Sequence, residues 1–249
     1  MGSEAADQRK GGWMKLDMIG FDADDTLWKN EIYYRNGRQL FDRLMKKYGV
    51  SSEGSANVER REIENLQYYG YGAVGFAISM AEAAVELTKG EITASELMQL
   101  VGVAKKIISA EVELLDGATE VVSHLAEATP LLLITKGDLL HQQSKVDHSG
   151  LKEYFSGVEI VSDKTPETYQ AILDRRQIDP IRFLMIGNSM RSDVLPVLDI
   201  GAMAVHLSGH MTWDFEQEEE LSLPEGRFFE VESIAEIPQL IDDIRSAGE

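Results

Sequence analysis

Six short apolar runs restrict what this chain can fold into: Leu16–Phe21, Leu131–Thr135, Val158–Val161, Phe183–Ile186, Ala202–Leu207 and Phe228–Val231. Runs this short, with few polar residues inside them, suit strands covered on both faces, as in a parallel sheet. Helical patterns fall between them. Val121, Val122, Leu125 and Ala126 share one face ahead of Pro130. Thr165-Pro166 sets an N-cap before a proline at the first helical position, and Tyr169, Ile172 and Leu173 follow. Val194, Val197 and Leu198 lead to Gly201 as a C-cap, and Ile237, Leu240, Ile241 and Ile244 form the last stripe. Strand and helix alternate, which predicts an α/β fold with a parallel, Rossmann-like sheet and right-handed crossovers.

One stretch, 30–115, breaks this rhythm. It carries helical stripes instead: Leu40, Phe41, Leu44, Met45 and Tyr48, then Phe76, Met80, Ala84, Val85 and Leu87, then Leu97, Leu100, Val101, Ala104, Ile107 and Ile108. Tyr68-Tyr69-Gly70-Tyr71-Gly72 reads as a loop within it. The predicted organisation is therefore an α/β core over 15–29 and 116–249, a helical subdomain over 30–115, and a flexible polar tail over 1–14. Met1 to Gly12 has no apolar segment of the signal-peptide kind.

The formal net charge of -19 opposes polyanions and anionic lipid, so a nucleic-acid polymer or a membrane is not an expected partner. A small phosphorylated substrate would need a locally positive site. The chain has no cysteine, which excludes disulfides and thiolate metal sites and is compatible with a cytoplasmic location. No apolar run approaches the roughly 18 residues of a membrane span. The oligomeric state cannot be read.

Chemistry concentrates at the end of the first run, in Asp22-Ala23-Asp24-Asp25-Thr26. Clustered carboxylates after a buried strand are costly unless something neutralises them. In an open α/β sheet that end of a strand is where ligands bind. A divalent cation such as magnesium, which takes oxygen ligands, would relieve the repulsion. Asp22 and Asp24, two apart, could serve one site as nucleophile and as acid/base. A single Asp there would more simply cap the next helix.

Asp22-Ala23-Asp24-Asp25-Thr26 resembles the first motif, DxDxT, of haloacid dehalogenase-like phosphatases. Leu132-Leu133-Ile134-Thr135-Lys136-Gly137 is similar to the second, Lys164 in Ser162-Asp163-Lys164-Thr165-Pro166 to the third, and Gly187-Asn188-Ser189-Met190-Arg191-Ser192-Asp193 to the fourth. The resemblance spans about residues 15 to 245 and makes the 30–115 stretch the family's mobile cap. It implies that Asp22 forms an aspartyl-phosphate and that Asp24 is the acid/base. It further implies that Thr135 and the Lys136 amide hold phosphate, and that Lys164 neutralises nucleophile and phosphoryl group. Asp22, the Asp24 carbonyl, Asn188 and Asp193 would hold Mg2+. Alone, Thr135 would be a strand-end hydroxyl, Lys164 a solvated loop lysine and Asp193 a helix N-terminal acid.

The pattern departs from the family at Asn188, where aspartate is common. A neutral oxygen there implies weaker metal binding, or Asp193 as the direct ligand. The family's dehalogenases lack an acid at the position of Asp24 and work without magnesium, so halide displacement is not expected. The implied activity is hydrolysis of a small soluble phosphate ester such as a nucleotide, flavin mononucleotide or sugar phosphate. A phosphomutase, or a weakly active binding protein, is the alternative. The segment after Ile134, with Ser149-Gly150-Leu151 and Tyr154-Phe155, resembles the pyrimidine nucleotidase and flavin mononucleotide phosphatase subgroup. Trp28, Tyr33, Tyr68, Tyr69 and Tyr71 are candidates for stacking on substrate, or for packing the cap on the core. None of the five histidines is assigned to chemistry. Glu216, Glu218, Glu219 and Glu220 read as a solvated face, and His210 to Trp213 as a rim of the cleft.

Overall fold

The computed structural model describes residues 15–50, 54–209, 212–217 and 223–246. The 1–14 tail, His210 and Glu218 to Glu220 therefore lie outside the described residues. All six runs form strands: β1 (Met18–Phe21), β2 (Leu131–Lys136), β3 (Phe155–Val161), β4 (Phe183–Gly187), β5 (Met203–Leu207) and β6 (Phe228–Val231). They make one parallel sheet in the order β3-β2-β1-β4-β5-β6. The first strand is thus central, and the strand order reverses beside it. This places the ligand crevice of an open α/β sheet at the C-terminal end of β1.

Nine helices stand among the described residues: α1 (Glu31–Lys46), α2 (Gly54–Tyr69), α3 (Ala73–Leu87), α4 (Ala94–Ile108), α5 (Ala118–Ala126), α6 (Leu139–His148), α7 (Pro166–Arg176), α8 (Leu195–Asp199) and α9 (Ile237–Ser246). The sheet separates two apolar layers. One joins Ile19, Phe21, Leu133 and Ile186 to α5 and α9. The other joins Leu132, Ile134 and Met185 to α7 and α8. Only the central strands are buried along their whole length. β3 is an edge strand, and its residues past Phe155 stay partly open.

The stretch after β1 is helical, with a core of its own built on Phe41, Met45, Phe76, Met80 and Leu100. Full burial of each such side chain contributes about 1.5–3 kcal/mol. Two features of this stretch differ from the sequence expectation. It holds a fourth helix, α2, whose apolar stripe is too thin to read because Val58 is its one core residue. Tyr68 and Tyr69 end that helix rather than start a loop. Asp25 ties the helical stretch to the strand end. Its carboxylate accepts the amide hydrogens of Asn30 at 2.9 Å and Glu31 at 2.8 Å, capping α1 where the helix dipole favours a negative charge. No helix of the described residues is long and apolar enough to cross a membrane.

Candidate active site

The three strands at the crevice each deliver a polar side chain. β1 ends in Asp22, β2 in Thr135, and β4 in Gly187-Asn188, while Lys164 arrives from the loop that follows β3. Lys164 is 3% exposed, and its Nζ donates to Asp22 Oδ1 at 2.5 Å and to Asp193 Oδ1 at 2.6 Å. A buried lysine lowers its cost only through such partners. Burial alone would depress its pKa; Asp193 and Asp22 outweigh burial and hold it above the ordinary lysine range. Asp22 responds in the opposite sense. Burial pushes it up to about 7, Lys164 pulls against that, and Asp193 adds to it.

Asp193 sits in a single π-helical turn, Met190–Val194, opened by Ser189. Its Oδ2 accepts the Ser189 amide at 3.0 Å, so both its oxygens are engaged. The turn folds so closely on β4 that a Cβ on Gly187 would lie 2.3 Å from Asp193 Cγ. Glycine at 187 is what lets the carboxylate reach Lys164. Asp193 therefore faces Lys164. Asn188 Oδ1 and Asp22 Oδ2 both accept from the Thr26 hydroxyl, at 3.1 and 3.0 Å.

Asp24 is gripped from α6. Lys145 Nζ lies 2.6 and 2.7 Å from its two oxygens, Gln142 Nε2 donates at 3.0 Å, and the Trp28 indole donates at 2.6 Å. Burial would raise the Asp24 pKa, but Lys145, Gln142 and Trp28 together lower it below the ordinary value. Gln142 also reaches the Thr135 hydroxyl at 2.7 Å. Lys145 and Gln142 were not singled out from sequence. The signal was available: Asp138, which caps α6, and Gln142 and Lys145 recur at helical spacing, so they share one face.

Glu216 corrects the sequence analysis. It is buried rather than solvated, and it accepts from Lys136 Nζ, from Ser189 Oγ and from Ser192 Oγ at 2.6 Å. Lys136 therefore contributes a paired side chain to the wall of the cleft, under the Tyr71 ring at 3.9 Å from Nζ to centroid. Lys136 and the two serines hold Glu216 below its ordinary pKa against the upward pull of burial. Thr212 and Trp213 line the cleft as the rim reading proposed, and the Trp213 indole donates to Glu59 of α2 at 3.0 Å.

The aromatic candidates divide. Tyr71 lines the cleft. Trp28 is buried beneath it, bonded to Asp24. Tyr33 packs on the helical core and lines a different groove, on α1 and α4. Tyr68 and Tyr69 are exposed on a separate groove among α2, α3 and α4, so they do not reach the cleft. His141 lines the cleft, with burial and Lys145 pushing its pKa down.

Comparison with known proteins bears on the family. The family described as haloacid dehalogenase-like hydrolase matches residues 16–201. Mouse N-acylneuraminate-9-phosphatase is 22% identical over 94% of this chain and 96% of its own. A haloacid dehalogenase-like family hydrolase from Xanthomonas campestris superposes with a TM-score of 0.81 at 34% identity, covering 94% of this chain and 98% of that one. The putative hydrolase YfnB from Bacillus subtilis, in a magnesium-bound form, gives 0.65 at 17% identity, covering 92% and 99%. L-2-haloacid dehalogenase from Xanthobacter autotrophicus gives 0.61 at 15%, covering 91% and 98%, and shares the fold. With the family's sequence pattern running through β1 to the π-helical turn and the same fold in its solved members, this chain belongs to the haloacid dehalogenase-like hydrolases.

Proposed function

We propose that the protein is a magnesium-dependent phosphomonoester hydrolase in which Asp22 attacks phosphorus. The observation that carries this reading is a nucleophile-type carboxylate bonded to a buried lysine, with a second carboxylate, Asp24, two residues on. Asp22 would displace the alcohol to give an aspartyl-phosphate. Asp24 would protonate the leaving oxygen and then take a proton from the water that frees Asp22 and phosphate. The first step needs Asp24 protonated, and a phosphate dianion beside it favours that form. Thr135 and the Lys136 amide would hold phosphoryl oxygens, and Lys164 would offset their charge in a loose transition state.

The residues suit magnesium. The Asp22 carboxylate and the Asn188 amide oxygen converge on one hydroxyl, that of Thr26, and with the Asp24 carbonyl they form an all-oxygen donor set. Lys164 gives a single positive charge against Asp22 and Asp193, so the centre keeps a negative charge that attracts a divalent cation. Asp193, whose oxygens accept from Lys164 and from the Ser189 amide, would add its charge to this centre. Bound there, the metal supplies positive charge for the phosphoryl oxygens. The presence of Asp24, the phosphatase activity in the name of the mouse relative and the magnesium in YfnB all favour phosphoryl transfer over halide displacement.

The test is phosphate release from a panel of small esters, run with magnesium, with chelator and with Asp22→Asn. Release that needs magnesium and disappears in Asp22→Asn is the expected result. Halide release from 2-haloacids without magnesium would instead move the chain to the dehalogenase branch.

A further inference from the structure

One wall of the cleft belongs to α1 and α2, and its charges are arranged in one compact group. Arg38 Nη1 donates to Glu31 at 2.9 Å and Nη2 to Glu62 at 3.1 Å, while the guanidinium carbon stands 5.1 Å from the Phe76 ring centroid. The arginine is thus held on three sides, and both arms of its fork are taken. Arg35 stands 3.9 Å from Glu31 but does not line the cleft, so the lining itself presents two carboxylates and one guanidinium. Burial pushes Glu62 up to about 7 and Glu31 above its ordinary value; Arg38 pulls both down, and Arg35 pulls Glu31 down as well.

The same accounting holds around the rest of the cleft. Among the described residues four cations line it, and each is already paired: Arg38 as above, Lys136 with Glu216, Lys145 with Asp24, and Lys164 with Asp22 and Asp193. Among the described residues a second anionic group on a substrate would find no free positive partner. It would also face Glu31 and Glu62. Hydroxyl groups, by contrast, would find acceptors in those same carboxylates.

We propose that the leaving-group side of the cleft takes an uncharged, hydroxyl-rich alcohol and discriminates against esters that carry a second anion. The inference rests on the hydrolase reading above and narrows its substrate class. It is a case of selection by an unfavourable charge contact as much as by an attractive one.

The test uses the full chain with magnesium and two ester pairs matched in size, in which CH2OH replaces a carboxylate: glycerol 3-phosphate against 3-phosphoglycerate, and glucitol 6-phosphate against gluconate 6-phosphate. p-Nitrophenyl phosphate serves as the reference ester. The uncharged member of each pair should have the higher kcat/KM by about tenfold or more, or the lower inhibition constant against p-nitrophenyl phosphate if it is not turned over. In Glu62→Gln that ratio should fall toward one, because one carboxylate leaves the wall and half of the Arg38 fork is released. Parity, or preference for the acid, in either wild-type pair overturns the inference and leaves the hydrolase reading standing. Absence of release from every ester, p-nitrophenyl phosphate included, overturns the hydrolase reading and the inference with it.

Discussion

Replacing Lys164 with Met tests the centre of the site most directly. The side chain is buried and bridges Asp22 and Asp193, so Met fills a similar volume but leaves two carboxylates facing each other without a cation. Breaking a buried ion pair in this way costs about 3–5 kcal/mol. The cost depends on pH, and its sign follows from Asp22. In the wild type its folded pKa of about 7 lies above the model-peptide value of 3.8, so the folded state holds a proton that the unfolded state releases between these values, and stability falls as pH rises through that window. Without Lys164 the folded pKa moves higher still. Above pH 7 the wild type has completed its loss while the variant continues to lose, by about 1.4 kcal/mol per pH unit. Urea denaturation of both proteins in chelator should therefore give a deficit about 2 kcal/mol larger at pH 8.5 than at pH 6. Phosphate release with magnesium should fall by roughly 10²–10³, the cost of losing one preorganised donor to the developing charge. A deficit that does not change with pH, or release within tenfold of wild type, would refute the reasoning.

Three further outcomes are expected. Asn188→Asp adds a charge to the oxygen set and should tighten magnesium binding by about 1–4 kcal/mol, read as a lower half-saturating magnesium concentration for phosphate release. Asp24→Asn should lower release by about 10²–10⁴-fold, with circular dichroism unchanged. Glu216→Ala removes the acceptor shared by Lys136, Ser189 and Ser192 and should cost about 1.5–3 kcal/mol in urea denaturation at pH 7. Because the folded pKa of Glu216 is depressed, that contribution is present above the unfolded value near 4.5 and is lost as pH falls through the folded one.

The strands were legible because a short apolar run needs no partner information to be recognised, even where, as in β3 and β6, it ends only partly buried. All six runs became strands, and the polar residues at their ends converge as the parallel order requires. What stayed hidden depends on pairing across the chain. Glu216 stands among acids in a segment without periodicity, and nothing local distinguishes it from a solvated glutamate; its partner Lys136 is eighty residues away. The aromatic pair Tyr68-Tyr69 was legible as aromatic but not in direction, since direction follows from the register of α2, a helix with too little apolar stripe to reveal its inward face. Nothing local in the sequence pairs Arg38 with Glu62; the pair exists only once α1 and α2 lie side by side over the crevice.

The substitution at Asn188 gains its meaning from Asp193. Asp193 is held by Lys164 and the Ser189 amide, while position 188 offers a neutral oxygen, so the charge an aspartate would bring there is missing from the whole centre. The buried charges are then one lysine against two carboxylates, and a divalent cation turns that set net positive. With aspartate at 188 the cation would bring it only to neutrality. Metal affinity and attraction for a phosphate dianion are thus traded against each other at one position, inside a protein whose net charge of -19 repels the substrate everywhere else. Asn188→Asp should accordingly raise the KM for ester while it lowers the magnesium requirement. A variant in which both fall together would mean that Asp193, not Asn188, completes the metal's shell.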